Sequence, residues 1–328
     1  MLMNKKRVGL FYGGVDNERE VSKKSADTVR RNLDKEKYEI VNIEIMPGEI
    51  FVIKNKEVSF DQVCEKIDIA LLALHGLFGE DGTLQRLLDE HLVPYTGSDA
   101  LASAVSFSKL LTKDVFTKFN IKTPTYIKVT SASCATKQGC LDQAGTIFST
   151  FPQPCVVKPT CAGSSLGVSI CNSKQEIADG LYKAAQIGDR IVVEEYIPGC
   201  EVTVGVIDGI RDQKTYVLPA VEIIPPVEKP FFDFETKYNG TTQEICPAVL
   251  DEQVTKQLSE ITKKIHTSLY LKDYSRTDYI IHPTRGIFAL EVNTLPGMSA
   301  ESLFPKELKA VGITMSEFLD HIITRNLK

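Results

Sequence analysis

The stretch Ser275–Leu303, SRTDYIIHPTRGIFALEVNTLPGMSAESL, predicts two strands around a short turn, followed by a loop that contains glycine. Arg276 and Asp278 alternate on the first strand, so their side chains leave by the same face. Glu291 and Asn293 do the same on the second strand. Folding the hairpin brings Asp278 roughly opposite Glu291, where cross-strand neighbours lie about 4.5–5.5 Å apart and like charges destabilise.

Two carboxylates and an amide oxygen at this spacing, beside an arginine, favour a hard divalent cation. The alternative is a solvated polar face on an edge hairpin, which would account for the charges alone. It does not account for the apolar residues of the hairpin, which we expect to be buried: Ile280, Ile281, Phe288, Leu290 and Val292. We therefore predict a metal site formed by Asp278, Glu291 and Asn293.

The composition excludes several classes of protein. The chain has 328 residues, 43% of them hydrophobic, and a net charge of −5 that is spread without blocks of like charge. Nucleic-acid binding would require a basic stripe, which is absent. The eight cysteines form no C-x-x-C pair and indicate a reducing compartment. No apolar run is long enough for a signal core or a membrane span, so we expect a soluble cytoplasmic protein that does not bind membranes.

The order of elements predicts an α/β protein with α+β domains. The first hundred residues alternate strand and helix, and the third strand, Asp68–Leu74, is apolar almost throughout, as expected for a strand buried on both faces. This pattern predicts a Rossmann-like parallel sheet with sites at the carboxyl ends of its strands. We divide the chain into residues 1–98, 99–198 and 199–328, with a lid loop at about 228–245.

A second candidate site combines a lysine with a glycine-rich loop. Lys158 ends an apolar strand, where a buried cation is costly unless it meets an anion. The loop that follows, with Ser164 and Ser165 between glycines, offers backbone N–H groups and hydroxyls that can wrap phosphate oxygens. Its spacing does not match the P-loop motif. The alternative is an ordinary hairpin turn, and the residues alone do not decide between the two.

Three further segments allow two interpretations each. The strand end Glu194–Ile197, followed by Glu201, offers backbone for an adenine edge and a carboxylate for ribose, or is an ordinary charged strand end. Glu18 begins a helix, where it caps the dipole or receives a substrate ammonium. Phe231–Gly240, FFDFETKYNG, is a lid that carries Lys237 and Tyr238 into a site, or a surface loop anchored by its aromatics.

Together these features indicate an ATP-dependent enzyme. The chain resembles D-alanine–D-alanine ligases, which have the ATP-grasp fold. The match extends from about residue 7 to 325 and rests on seven motifs in the order of the family: NEREVS, HGLFGEDGTLQRLL, KPTCAGSSLGVS, EEYIPGCEVTVG, FFDFETKY, SRTDY and EVNTLPGMSAESL.

The resemblance implies ATP-dependent ligation of two D-alanines through a D-alanyl phosphate, for peptidoglycan precursor synthesis, and suggests a homodimer. ATP would bind between the middle and C-terminal domains, with two Mg²⁺ ions, or Mn²⁺ instead, bridging its phosphates. The implied nucleotide contacts are Lys109, Lys158, Ser164, Ser165, Glu194, Glu195, Tyr196, Ile197 and Glu201. The implied substrate and catalytic residues are Glu18, His75, Ser164, Lys237, Tyr238, Arg276, Gly297, Ser302 and Leu303.

Within these sets the resemblance implies particular roles. Glu18 would hold the ammonium of the first D-alanine, and form a hydrogen-bonded triad with Ser164 and Tyr238. Arg276 and the Gly297 N–H would stabilise the reacting carboxyl oxygens. Ser302 and Leu303 would seat the second D-alanine, while Tyr238 matches the enzymes that use an amine-bearing second substrate.

Two residues depart from the family pattern. Lys23 stands where an apolar residue is usual, and Glu301 replaces a common histidine beside the second-substrate pocket. The acidic Glu301 keeps a D-alanine–D-serine ligase open as an alternative. Another ATP-grasp carboxylate–amine ligase and an inactive nucleotide-binding relative are further alternatives, but the intact charged set around Arg276 argues against the inactive relative.

Overall fold

The structure is a computed structural model that describes residues 5–16, 18–163, 165–226 and 242–327. Its strands form three sheets, and helices cover them. No helix within these ranges is both long enough and apolar enough to span a bilayer.

The first sheet has the strand order β4-β3-β2-β1-β5. Its strands are β1 (Lys6–Gly13), β2 (Tyr38–Met46), β3 (Ile50–Ile53), β4 (Lys56–Val58) and β5 (Ile69–Leu72). The helices of this part of the chain are α1 (Arg19–Asn32), α2 (Phe60–Cys64) and α3 (Thr83–Glu90). Because β1 runs parallel to β2 and β5, the carboxyl ends of these strands meet at one edge, as the sequence predicts.

Hydrophobic spacing explains how α1 packs on this sheet. Its buried residues are Ser22, Ser25, Ala26 and Val29, which recur at the three- and four-residue intervals of one helical face. All four residues of β5 are buried, as predicted for this strand. Helix α1 therefore has a fixed position over the sheet, and its N-terminus lies at the edge where the strands end.

The second sheet has the order β6-β9-β7-β8, and every neighbouring pair is antiparallel. Two helices precede it, α4 (Ala100–Phe107) and α5 (Lys109–Lys118). The sheet consists of β6 (Tyr126–Thr130), β7 (Cys155–Pro159), β8 (Ser169–Cys171) and β9 (Arg190–Glu195), and is covered by α6 (Lys137–Thr150) and α7 (Lys174–Ala185).

The third sheet has the path β13-β12-β10-β14-β15, with β11 also paired to β10. Its strands are β10 (Cys200–Asp208), β11 (Thr215–Val217), β12 (Val221–Ile224), β13 (Gln243–Ile245), β14 (Tyr274–His282) and β15 (Gly286–Asn293). The helices of this region are α8 (Glu252–Ser268), α9 (Leu303–Ala310) and α10 (Met315–Asn326).

The hairpin β14–β15 has the predicted register, with Asp278 opposite Glu291 and Arg276 opposite Asn293. The register then shifts, because Tyr279 pairs with Ala289 and leaves an extra residue, Leu290, on β15. Bulges of this kind change the direction of side chains and are frequent beside active sites.

Some predictions about this region were wrong. Three of the hairpin residues expected to be buried, Ile280, Ile281 and Leu290, are only half-buried. Between residues 215 and 224 the chain forms two strands, β11 and β12, separated by a segment that contains Pro219, which has no N–H to donate to a ladder. Helix α9 begins after the loop that follows β15, and it was not predicted.

The strands of each sheet fall within one of the three predicted segments, although the helices do not all follow this division. Helix α10 packs on α1 and β5, and α4 and α5 pack against β15. The hydrophobic core of the first sheet accordingly includes Phe304 and Phe318 from the end of the chain. The three-domain boundaries stay a prediction.

Candidate active site

Two adjoining cavities lie where the three sheets approach one another. The larger, of about 580 Å³, reaches the strand ends of the first sheet, and the smaller, of about 130 Å³, lies against the second sheet. Lys109, Glu201, Asp278 and Glu291 line both cavities. A ligand that extends from one cavity into the other would therefore pass three carboxylates and a lysine at the junction.

The structure brings together every predicted site residue that lies within its described ranges. The larger cavity is lined by Glu18, His75, Lys109, Glu201, Arg276, Asp278, Glu291, Asn293, Gly297, Ser302 and Leu303. The smaller cavity adds Lys158, Ser165, Glu194, Glu195, Tyr196 and Ile197. Ser164, Lys237 and Tyr238 lie outside the described residues, as does most of the predicted lid.

The hairpin carboxylates each face a cation. Arg276 donates from Nε and an Nη atom to the two oxygens of Asp278, at 3.1 and 3.2 Å. Lys109 Nζ lies 3.1 Å from Glu291 Oε2 and donates to the Ala162 carbonyl at 2.8 Å. Burial lowers the pKa of Arg276, but Asp278 outweighs this and raises the pKa above its ordinary value. Each carboxylate of the hairpin therefore lies within ion-pairing distance of a cationic side chain.

A buried charge cluster lies beneath the smaller cavity. Glu194 has one oxygen 3.2 Å from Lys113 Nζ and accepts a hydrogen bond from Lys158 Nζ on the other, at 2.9 Å. Burial alone would raise the pKa of Glu194, but the two lysines lower it below its ordinary value. Burial lowers the pKa of Lys158, and Glu194 reverses that effect, so Lys158 stays a cation at the cavity wall.

Glu18 lies at the N-terminus of α1, with the glycine-rich loop against its carboxylate. It occupies the N-cap position but makes no capping hydrogen bond with its side chain; Asp16 Oδ1 accepts instead from the Glu18 N–H, at 3.0 Å. A Cβ atom on Gly163 would lie only 2.5 Å from Glu18 Oε2. Gly163 therefore permits the close approach that joins the substrate end of the larger cavity to the loop.

Glu80 and Lys113 are among the charged residues of this site that sequence reasoning missed. Glu80 lines the larger cavity, accepts from the Gly76 N–H at 3.1 Å, and is buried so that its pKa rises well above the ordinary value. Its signal is the motif HGLFGEDG, in which we considered only the histidine. Lys113 follows Lys109 by one helical turn, a spacing that places both on one face.

Comparison with known families decides the classification. The family model "D-ala D-ala ligase C-terminus" matches residues 115–324, and "D-ala D-ala ligase N-terminus" matches residues 52–98. The chain belongs to the D-alanine–D-alanine ligase family. The resemblance inferred from the seven motifs is confirmed.

Relatives within the D-alanine–D-alanine ligase family match along nearly the whole chain. The D-alanine–D-alanine ligase of Syntrophobacter fumaroxidans is 38% identical over 98% of each chain. A solved structure of the Bacillus anthracis ligase complexed with ATP is 32% identical, with a TM-score of 0.78 over 98% of this chain and 97% of that one. VanG D-Ala:D-Ser ligase from Enterococcus faecalis is 26% identical, with a TM-score of 0.83 over 98% and 99%. The predicted ATP-grasp fold and α/β class are confirmed.

The two departures from the pattern of D-alanine–D-alanine ligases have different positions. Lys23 pairs with Glu20 at 2.9 Å and approaches Glu44 at 3.9 Å, and it is not among the residues that line either cavity. Glu301 is exposed and lines the larger cavity beside Ser302. Lys23 thus lies outside the cavity lining, whereas Glu301 adds an acidic group to it.

Proposed function

We propose that this chain joins two D-alanines at the expense of ATP, through a D-alanyl phosphate, in the synthesis of peptidoglycan precursors. The observation that carries the proposal is the pair of adjoining cavities with Lys109, Asp278 and Glu291 at their junction. A nucleotide in the smaller cavity would place its phosphates at this junction. Its γ-phosphoryl group would then face Arg276 and Glu18 in the larger cavity.

The smaller cavity has the surfaces that a nucleoside needs. Val156, Ile170 and Leu290 give it apolar walls, and Tyr196 and Ile197 follow the end of β9. We assign the adenine to this strand end and the ribose to Glu201. Lys158 and Ser165 lie on the phosphate side, where a lysine acts as a point charge and a loop hydroxyl donates a hydrogen bond.

The residues at the junction fit magnesium. Asp278 and Glu291 supply two carboxylates there, and Asn293 in the larger cavity supplies one amide oxygen. Mg²⁺ is commonly held by one or two carboxylates together with substrate phosphates. Among the described residues no group of three or more His, Cys, Asp or Glu side chains is placed so that it could hold a metal ion by itself. Asp278, Glu291 and Asn293 would hold the ions, which supply charge neutralisation for the phosphates.

The first step makes the acyl donor. A carboxylate oxygen of the first D-alanine attacks the γ-phosphorus of ATP, the bond from that phosphorus to the β-bridging oxygen breaks, and ADP leaves. Glu18 holds the substrate ammonium at the N-terminus of α1, which orients the carboxylate toward the phosphates. The protein contributes position and charge, from Lys109 and Lys158, because phosphoryl transfer needs little else from side chains.

The second step forms the peptide bond. The amine of the second D-alanine attacks the acyl carbon, an oxyanion develops, and the bond from carbon to the phosphate oxygen breaks to release phosphate. Arg276 and the Gly297 N–H face the oxyanion and stabilise it more than they stabilise the ground state. Ser302, the N-cap of α9, and Leu303 seat the second substrate at the helix N-terminus, which favours its carboxylate.

The test measures ADP release from ATP and magnesium in the presence of D-alanine, L-alanine or D-serine as acceptor. We expect ADP release and dipeptide formation at useful rates with D-alanine only. A preference for D-serine would move the assignment to the alternative that Glu301 raised, which the family comparisons do not favour. Release with a panel of L-amino acids and none with D-alanine would reject the proposal. The homodimer and the cytoplasmic location stay predictions, which sedimentation and cell fractionation would check.

A further inference from the structure

Two hydrogen bonds bracket Gly297 on the loop that follows β15. The carbonyl of Leu295 lies 3.0 Å from His75 Nδ1, and the N–H of Met298 donates to Ser25 Oγ at 3.2 Å. His75 and Ser25 are themselves joined, with Nε2 3.0 Å from Oγ. Two residues of the first sheet and its helix therefore hold both sides of a backbone segment that belongs to the larger cavity.

The chemistry of these groups determines which atom donates and which accepts in each of the three hydrogen bonds. A carbonyl can only accept, so His75 Nδ1 carries the hydrogen and Nε2 is the acceptor. Ser25 therefore donates its hydroxyl hydrogen to Nε2 and accepts the Met298 N–H on a lone pair. Burial lowers the pKa of His75 to about 4, so its ring is neutral under ordinary conditions and keeps this tautomer.

The positions of Ser25 and His75 indicate whether each side chain can contact a substrate or only support the backbone around Gly297. Ser25 is fully buried and is not among the residues that line either cavity, so it cannot touch a substrate there. His75 lines the larger cavity, but both of its ring nitrogens are occupied by protein partners. Within the part of the chain that the structure describes, the hydrogen bonds of these side chains join them to each other and to backbone groups on either side of Gly297.

We propose that Ser25 and His75 are positioning residues that fix the backbone from Leu295 to Met298 and so aim the Gly297 N–H at the reacting carboxyl. The inference rests on the proposed function, in which this N–H faces the oxyanion. It assigns His75 a supporting role in place of the predicted substrate contact. It also couples two parts of the site, because Ser25 lies on the helix that begins next to Glu18.

The experiment compares Ser25→Ala with a matched control, Ser22→Ala. Ser22 is on the same helix, is also fully buried and also makes two hydrogen bonds, in its case both to backbone: it accepts from the Gly13 N–H at 2.9 Å and donates to the Ala73 carbonyl at 2.6 Å. Its partners lie at the end of β1 and directly after β5, not on the loop that contains Gly297. Both variants should lose similar stability in thermal unfolding, so stability does not separate them.

Only Ser25→Ala should lower kcat, by about tenfold or more, because small displacements of a catalytic group are costly. The KM for ATP and the affinity for ADP should stay within about twofold of the wild type in both variants, since misplacing Gly297 does not alter the nucleotide cavity. Equal kcat values for Ser25→Ala and Ser22→Ala would overturn the proposal.

His75→Asn provides an independent variant should Ser25→Ala fold poorly. Its side-chain amide can replace the donor to Leu295 but leaves Ser25 without its acceptor, so we expect an intermediate fall in kcat. The double variant should lose no more than about the worse single variant, because both act through one relay. Additive losses of kcat in the double variant would show that Ser25 and His75 do not act through one hydrogen-bonded connection to the Gly297 backbone. Absence of D-alanine-dependent ADP release in the wild type would instead reject the proposed function, so the two failures are distinct.

Discussion

Asp278 and Glu291 lie directly opposite each other across the hairpin, and each has its own cation, Arg276 for Asp278 and Lys109 for Glu291. Like charges at this spacing repel each other. In the protein without a ligand, the two cations offset that repulsion. A bound divalent ion would draw on the same oxygens, which links the ion pairs to ligand binding.

The first prediction concerns magnesium. Adding Mg²⁺ with ADP should raise the melting temperature of the wild type well above the value with ADP alone, because a ligand that binds only the folded state stabilises it by mass action. Glu291→Gln should lose most of this magnesium-dependent rise, and a chelator should abolish it in the wild type. An unchanged rise in the variant, measured by thermal unfolding, would place the ion elsewhere.

The second prediction concerns Arg276. Arg276→Ala should lower kcat by about 10²–10³, the usual cost of removing one donor to a developing oxyanion, with ADP affinity nearly unchanged. Arg276→Lys should recover only part of the loss, because an ammonium cannot reproduce the two-pronged contact with Asp278. Steady-state kinetics and calorimetric titration with ADP test both. A collapse of ADP affinity would instead assign Arg276 to the nucleotide site.

The sequence was most informative where local periodicity determines geometry. Alternation along the hairpin predicted that Asp278 faces Glu291, and the register confirms it. It did not predict the bulge at Leu290 or the ion pair between Glu194 and Lys113, since the two residues lie on different elements, β9 and α5, and periodicity within one element does not show which elements meet. The contact between Ser25 and the loop at Met298 was missed for the same reason.

The third prediction concerns the buried cluster around Glu194. Glu194→Gln leaves Lys113, whose side chain is 0% exposed, without its counter-charge. Breaking a buried pair typically costs about 3–5 kcal/mol, so chemical denaturation should show a loss of that order. Asp114→Asn is the matched control, because it removes an exposed ion pair with Lys128 of 3.1 Å, where a loss of about 0–1 kcal/mol is usual. Equal losses in the two variants would mean that Glu194 is not the charge that supports Lys113.

The last prediction concerns pH and a carboxyl group outside the mechanism. Glu307 on α9 is fully buried and accepts from the Gly205 N–H at 2.7 Å, and its burial raises its pKa well above the ordinary value of 4.5, which the charge of Arg276 only partly opposes. Above pH 4.5 the folded protein therefore keeps a proton that the unfolded chain has lost. The free energy of unfolding consequently falls as pH rises toward the raised pKa, by up to about 1.4 kcal/mol per unit.

Glu307→Gln keeps an acceptor for the Gly205 N–H but cannot ionise, so it escapes this loss. We expect the melting temperature of the variant, relative to the wild type, to increase as pH rises above 5 and to level off above the raised pKa of Glu307. The other buried carboxyls titrate alike in both proteins and cancel in the difference. A difference that does not vary with pH would show that Glu307 does not change its protonation on unfolding in this range, and a difference that falls with pH would mean that its charged form stabilises the fold through Arg276.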